Sequence, residues 1–401
     1  MTTMLSLDEA IACTRSTVGY VDSTAGVWRQ IAANKPRRSN KGLLIEEART
    51  NSIPNNSMQG VVAGSPGTFP TGWSPGGFAG VTRTVVGVGV ENGVEYMDVR
   101  FNGTLGAADA YHTAFTQIVS GVANGQTWYV SIFLKLVAGT LTNIDSFRIL
   151  SNVYSPGPVF LQQMNTLLST PTSTLARSGG AQTISGVGAD RVDPHLSILG
   201  DADGGAVDFT IRIGWPQYEL GAFMTSPIRT TSAAVTRARD LIEVNNPADI
   251  INVRAITMLA DFTLHGDPTA AAYSGNFPVP MGWHALSSAN EVIFYIVGAN
   301  GQTQLRIISA GVDQQVTPGT STNARAKIGG AAETDNVRGA RNGVLSALNT
   351  TFDMPASNII AARATLGGYP DLINYPLSGY MHRIEFLPYR VTDAELSEMT
   401  A

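Results

Sequence analysis

Cysteine is almost missing from this chain: Cys13 is the only one in 401 residues, which excludes an intrachain disulfide and any zinc cluster built from cysteines. Charge is scarce too. Lys, Arg, Asp and Glu make up 14% of the residues against 43% hydrophobic, a balance that excludes disorder and leaves Ser, Thr, Asn, Gln and Gly to form much of the surface. The 26 Lys+Arg against 31 Asp+Glu give a formal charge of −5, so no nucleic acid partner is expected. No run of about 18 apolar residues occurs, and no membrane insertion is expected. Asp8 and Glu9 stand where the apolar stretch of a secretory leader would fall, so the chain is expected to be made and folded in cytoplasm.

Catalytic signatures are missing as well. The histidines, His112, His195, His265, His284 and His382, are scattered and form no His-Glu-x-x-His. There is no Gly-x-Ser-x-Gly elbow and no Gly-Lys-Ser/Thr phosphate loop. Gly87-Val88-Gly89 is followed by Gly93, which breaks the dinucleotide fingerprint, and the glycine pair reads as a turn. Glycoside cleavage uses two carboxylates across the scissile bond. Glu95 and Asp98 are the nearest pairing, but three positions apart on a strand they point to opposite faces. The chain is therefore expected not to be an enzyme, with a carboxylate pair assembled from distant strands as the alternative.

What the chain does have is alternation. In Thr127–Lys135, Trp128, Val130, Ile132 and Leu134 fall on one face, and from Val207 to Trp215 apolar residues alternate with Asp208, Thr210, Arg212 and Gly214. Ile256 to Leu264 begins a second strand series. Trp73, Trp128 and Trp215 are expected to be structural. Asp201 and Asp203, beside Gly204 and Gly205, are candidate Ca²⁺ ligands, although a turn of Asp and Gly between strands needs no metal. Ser6 with Glu9 and Thr392 with Glu395 have capping-box spacing, predicting short helices at both ends, the first ending near Cys13. Thr225 to Asp240 lacks patterning and reads as a domain boundary.

Residues 1–50 carry the basic cluster Arg29, Lys35, Arg37, Arg38, Lys41 and Arg49 with little periodic apolar content. They read as an extended arm that gains order by lying on an acidic surface or a neighbouring copy. Its removal is expected to leave the rest folded. The fold expected is all-β: two β-sandwich, jelly-roll domains in tandem, over 51–238 and 239–401, with the N-terminal arm and a short helix at each end.

Three segments together resemble phage virion-associated adhesins. They are Tyr20 to Arg37 leading into Gly42–Asn51; Gln217–Ile228 continuing to Ala234–Asp240, with Pro227 where the usual pattern has Tyr; and Ala324–Ile328 through Asn342-Gly343 to Leu377–Ile384 and Leu396. The resemblance implies a carbohydrate-binding-module-like jelly roll followed by a concanavalin A-like, laminin-G-like sandwich. It also implies a fibre or spike subunit at the virion surface, attached to phage capsid or tail proteins, homo-oligomeric as a trimer or another cyclic form, and holding host surface polysaccharide. A polysaccharide depolymerase and a ligand-free capsid decoration are the alternatives. Sugar recognition uses loop rings with polar partners. The candidates are Trp283 and His284, and Tyr369, Asp371, Asn374 and Tyr375, with core packing as the competing role for each ring.

Overall fold

The computed structural model describes residues 10–76, 80–106, 111–116, 118–201, 203–247, 254–267, 278–284, 290–297, 300–320, 325–355, 363–368 and 377–401. The chain is all-β, with antiparallel sheets and a short helix at Asp393–Thr400. It divides into two compact units: one from Met1–Thr24, Gln30–Ala48 and Ala238–Ala401, the other from Ala25–Arg29 and Arg49–Arg237.

The discontinuous unit is a sandwich of two seven-stranded sheets. One runs in the order Ile11–Thr14, Leu241–Val244, Arg363–Leu366, Met281–His284, Glu291–Val297, Gln302–Ser309, Val312–Thr320. The other runs Val344–Leu345, Asn336–Arg341, Ala326–Glu333, Ala255–Leu264, Gly379–Leu387, Gly42–Ile45, Arg37–Ser39. Their inward residues, among them Ile256, Met258, Phe262, Trp283, Phe294 and Leu305, form one core. The helix starts as its capping box predicts: Glu395 N–H donates to Thr392 Oγ1 at 3.2 Å and Thr392 N–H to Glu395 Oε2 at 2.7 Å. Leu396 packs with Val391, Ala331 and Ala340.

The reading of residues 1–50 as an arm is corrected here. Ile11–Thr14 pairs with Leu241–Val244, and Gly42–Ile45 pairs with Gly379–Met381, so both sheets take an edge from the N-terminal segment. Ile11, Leu43 and Ile45 lie in the core. Apolar residues spaced so widely look too sparse to make a core of their own, but these three complete one built by residues 238–401. The expected N-terminal helix lies mostly outside the described residues: Ala10 is helical, and the strand Ile11–Thr14, with Cys13 inside it, ends the helix before Cys13.

Two arginines of this segment, Arg15 and Arg37, are buried as ions. Asp240 accepts from Arg15 Nη1 at 2.7 Å, from Arg37 and from the Glu46 N–H at 2.9 Å. Arg37 Nη1 also donates to Glu46 Oε2 at 2.6 Å and to the Tyr20 carbonyl at 3.0 Å. All four side chains are fully enclosed, and buried ions persist only when paired and hydrogen-bonded in this way.

The second unit is a sandwich of two five-stranded sheets. The first runs Ala176–Thr183, Thr127–Thr140, Ala206–Leu220, Val94–Thr104, Val81–Glu91. In the second, Arg191–Gly200 pairs on one side with Tyr111–Thr116 and Val119–Ser120 and on the other with Ile144–Tyr154, which pairs with Phe160–Leu167. Trp128, Val130, Ile132, Phe147, Ile149, Leu196, Phe209 and Ile211 share the core. The unit's first and last strands zip together, Arg49–Asn51 against Val235–Arg237, with the Thr50 and Thr236 hydroxyls 2.7 Å apart.

The alternation of Val207–Trp215 holds only as far as Ile213. Opposite Ile132 the partner strand carries both Trp215 and Pro216, a bulge with Trp215 at φ +34°. Trp215 is buried, as expected, but packs edge-on against Phe133 with ring centres 6.4 Å apart. Gly87 and Gly89 lie within a strand, which corrects the turn reading. A Cβ at Gly89 would sit 2.8 Å from the Tyr96 hydroxyl, and one at Gly87 3.0 Å from an Asp98 oxygen.

Candidate functional site

The residues singled out for binding scatter in the structure. Trp283 is 1% exposed, a core residue on Met281–His284, because its strand is central in its sheet. The ring therefore takes the packing role. The backbone of His284 belongs to the same strand, while Tyr369, Asp371, Asn374 and Tyr375 lie outside the described residues. Of the basic residues, Arg37 is enclosed in its ion cluster, and Arg49 is buried over the Phe223 ring at 4.8 Å. Neither can dock on another surface. Lys41 is paired with Asp22, and Arg29, Lys35 and Arg38 are exposed. Asp201 and Asp203 stand exposed in a turn whose backbone is already bonded, Asp201 N–H to the Asn143 carbonyl at 3.1 Å. Among the described residues no group of three His, Cys, Asp or Glu side chains could hold a metal ion.

The outer face of the second sheet in the 49–237 unit is built differently. On Arg191–Gly200 the residues Val192, Leu196 and Ile198 face the core, so the pleat turns Arg191, Asp193, His195 and Ser197 outward. The register places Tyr154 beside Arg191, Asn152 beside Asp193 and Leu150 beside His195. One strand further, Phe160 is opposite Tyr154 and Gln163 opposite Asn152. Rings and hydrogen-bonding groups thus lie in adjacent rows across three strands.

The upper row is aromatic and cationic. The Tyr154 and Phe160 rings meet edge-on with centres 5.9 Å apart, and the Arg191 guanidinium lies 4.8 Å from the Tyr154 ring centre. Phe160 is 55% exposed, a large ring that folding leaves in water. Below it, Gln163 Nε2 donates to Asn152 Oδ1 at 2.9 Å.

The polar groups on the central strand are incompletely satisfied. Arg191 Nε, Asp193 Oδ1 and Ser197 Oγ are buried atoms with no hydrogen-bond partner in the protein. Arg191 and Asp193 approach each other only to 3.9 Å, too far for a hydrogen bond. Burial pushes the Asp193 carboxyl above the usual carboxylate range, against the opposing charges of Arg191 and His195. Burial likewise holds His195 below the ordinary histidine value, against the Asp193 carbonyl, 3.2 Å from its Nδ1, and the Asp193 charge. A buried donor and a buried acceptor without partners each cost about 1–3 kcal/mol. Folding leaves these groups desolvated on this face without a partner in the protein.

Other carboxylates of this unit are neutralised. Arg212 Nε and Nη2 hold Asp98 at 2.8 and 2.9 Å, and the same guanidinium holds Glu91, which also accepts from Lys135 at 2.7 Å. Against burial, which raises it, these bonds keep Glu91 below the usual range. Arg229 holds Glu95 at 2.7 and 2.8 Å. A glycosidase acid needs a raised pKa, and Glu91 is held the other way. In the other unit, a hollow of about 410 Å³ is lined by Gln315, Val316, Thr317 and residues 346–351, with no ring and no charge among them.

The outer face was legible only as alternation: Arg191-Val192-Asp193-Pro194-His195-Leu196-Ser197 puts four polar residues at every second position. Pro194 and the absence of a neighbouring tryptophan hid it. No helix of the described residues is long and apolar enough to cross a membrane.

No protein-family model matches the chain, and no curated protein does. Among solved structures, it is similar to the carbohydrate-binding module of a Ruminococcus gnavus IT-sialidase, bound to α2,3-sialyllactose, at 14% identity and TM-score 0.33, covering 38% of this chain and 86% of that one. A second carbohydrate-binding module, of family 4, matches at 16% identity and TM-score 0.26 over 42% of this chain and 99% of that one. The laminin-G domains 4–5 of mouse laminin α1 match at 11% identity and TM-score 0.26, over 72% and 91%. The structural neighbours are carbohydrate-binding modules and laminin-G domains, a likeness of β-sandwich architecture.

Proposed function

We propose that the chain is a non-catalytic glycan-binding protein whose site is the outer face around Tyr154, Phe160, Arg191 and Asp193. The carrying observation is the exposed Phe160 ring, joined through Tyr154 to the row of Arg191, on the face where two buried polar atoms, Arg191 Nε and Asp193 Oδ1, lack partners. A pyranose laid with its C–H face on that ring presents hydroxyls toward Asp193, Asn152 and Gln163, and an oxygen toward Arg191. The sequence resemblance gives this binding a setting: a fibre or spike at a virion surface, holding host surface polysaccharide. The buried Arg37 and Arg49 argue against the basic cluster acting together as an anchor, so attachment to a capsid or tail would use other surface.

The test is titration of the full chain with a panel of bacterial surface polysaccharides. Phe160→Ala is expected to weaken the best binder about tenfold, roughly 1.4 kcal/mol, with unfolding unchanged because the ring is exposed. Equal binding by Phe160→Ala and wild type would remove this face from consideration. New reducing ends during incubation would favour the depolymerase, and no binding across the panel the ligand-free decoration.

A further inference from the structure

Among the described residues the strand Val81–Glu91 ends its sheet, pairing on one side, with Val94–Thr104. Its free side is divided. At Val85 the outward backbone is occupied, Val85 N–H donating to the Pro66 carbonyl and Gly64 N–H to the Val85 carbonyl, each at 2.9 Å. A bulge follows between Val85 and Gly87. Beyond it Glu91 faces Val94 across the two-residue turn Asn92-Gly93, both at positive φ. That turn closes on a hydrogen-bonded pair, so alternation directs Gly87, Gly89 and Glu91 to the neighbouring strand. The N–H and C=O groups of Val88 and Val90 are left pointing outward. The side chains there are apolar: Val86, Val88 and Val90 are 48%, 46% and 64% exposed.

Natural edge strands are usually blunted by lysine, proline or a cover. Among the described residues the cover stops at Val85, and the stretch beyond it is Val86-Gly87-Val88-Gly89-Val90, which reads the same in both directions. A second copy of this strand, laid antiparallel, sets like residue against like at every position. Laid antiparallel about a two-fold axis at Val88, each strand sets Val88 against Val88 and Val86 against Val90, with Gly87 against Gly89 on the reverse face. The outward N–H and C=O of Val88 then bond to their own symmetry mates. The contact is isologous and closes on itself, and on the valine face its cross-strand pairs are β-branched. The loop at 64–66 and the turn at 92–93 stop the pairing at its two ends, so it does not propagate.

We infer that Val86–Val90 is a homodimer interface, formed by edge-to-edge pairing with a second copy of this chain. This stands independently of the glycan reading. The experiment is sedimentation velocity of the full chain across a concentration series, with Val88→Lys and Val88→Thr. Wild type is expected to dimerise. Val88→Thr, β-branched and uncharged, is expected to dimerise likewise, while Val88→Lys sets two ammonium groups opposite each other and weakens association by about tenfold or more. Thermal unfolding of each variant confirms the fold. Should Val88→Lys fail to fold, Val90→Lys, at the most exposed of the three positions, reads the same interface. A monomer at every concentration, a trimer, or a dimer indifferent to the lysine would each overturn the inference.

Discussion

Two clusters in this molecule are made from the same residue types and solve opposite problems. Around Asp240, Arg15, Arg37 and Glu46 are enclosed, and the Asp240 and Glu46 carboxylates and both guanidinium groups are bonded within the cluster. On the outer face of the other unit, Arg191 and Asp193 stand 3.9 Å apart with atoms unpartnered. A buried charge network that is complete fixes a fold; one that is incomplete costs stability and keeps its bonding capacity for something else. The difference teaches where to look for function in a chain without catalytic motifs: at polar groups that folding has desolvated and left unserved.

The first way to break the comparison is to open the complete cluster. Arg37→Ala would leave Asp240 and Glu46 as buried carboxylates short of a partner, and is expected to cost about 3–5 kcal/mol in denaturant unfolding. Cys13 gives a local readout. Burial, and next the Asp240 carboxylate, push its thiol up to about 11, so at pH 8 only about one molecule in a thousand carries the reactive thiolate. Alkylation of wild type should be slow, and Arg37→Ala should speed it as the Ile11–Thr14 strand detaches. Rapid alkylation of wild type would mean that the N-terminal segment is an arm after all.

The sequence made the architecture readable and most of the chemistry not. Strict alternation announces strands, and the capping box at Thr392 and Glu395 announces the last helix, because both signals are local. The N-terminal segment misled for the opposite reason. Its six basic residues suggested a docking surface, yet the partners of Arg37 are Glu46, nine positions on, and Asp240, 203 positions away. Nothing local separates a solvated arginine from one neutralised across the fold. Trp283 misled similarly, since ring chemistry is the same in a core and in a binding loop, and only its central strand decides. His195 was visible as a scattered histidine, but the row beside it, Asp193 with Asn152 and Asn152 with Gln163, forms only through strand pairing.

The second test acts on the incomplete cluster. Asp193→Asn replaces a desolvated carboxylate with a neutral amide of nearly the same shape, so at neutral pH it should raise stability by about 1 kcal/mol, an increase of roughly 2–4 °C in a domain of this size. It should also weaken glycan binding, because an accepting oxygen is exchanged for a donor. Stability and binding moving in opposite directions is the signature of a group kept for function. Loss of both would reduce Asp193 to an ordinary structural residue.

The smallest effect expected is in the pH dependence, and its sign separates the two titrating groups of this face. Asp193 has its pKa raised by burial, so its contribution to stability is fully present below the ordinary carboxylate value of 3.8 and is lost as pH rises through its raised value. His195 has its pKa lowered, so its contribution is fully present above 6.5 and is lost as pH falls through its lowered value. Stability of wild type should therefore decline in both directions from different starting points. His195→Gln should remove the decline on acidification below about 6.5 and leave the carboxylate limb, while Asp193→Asn should do the reverse. Because each group faces the other, the double variant should be flatter than either single one, and curves that simply add would show that the two titrate without sensing each other.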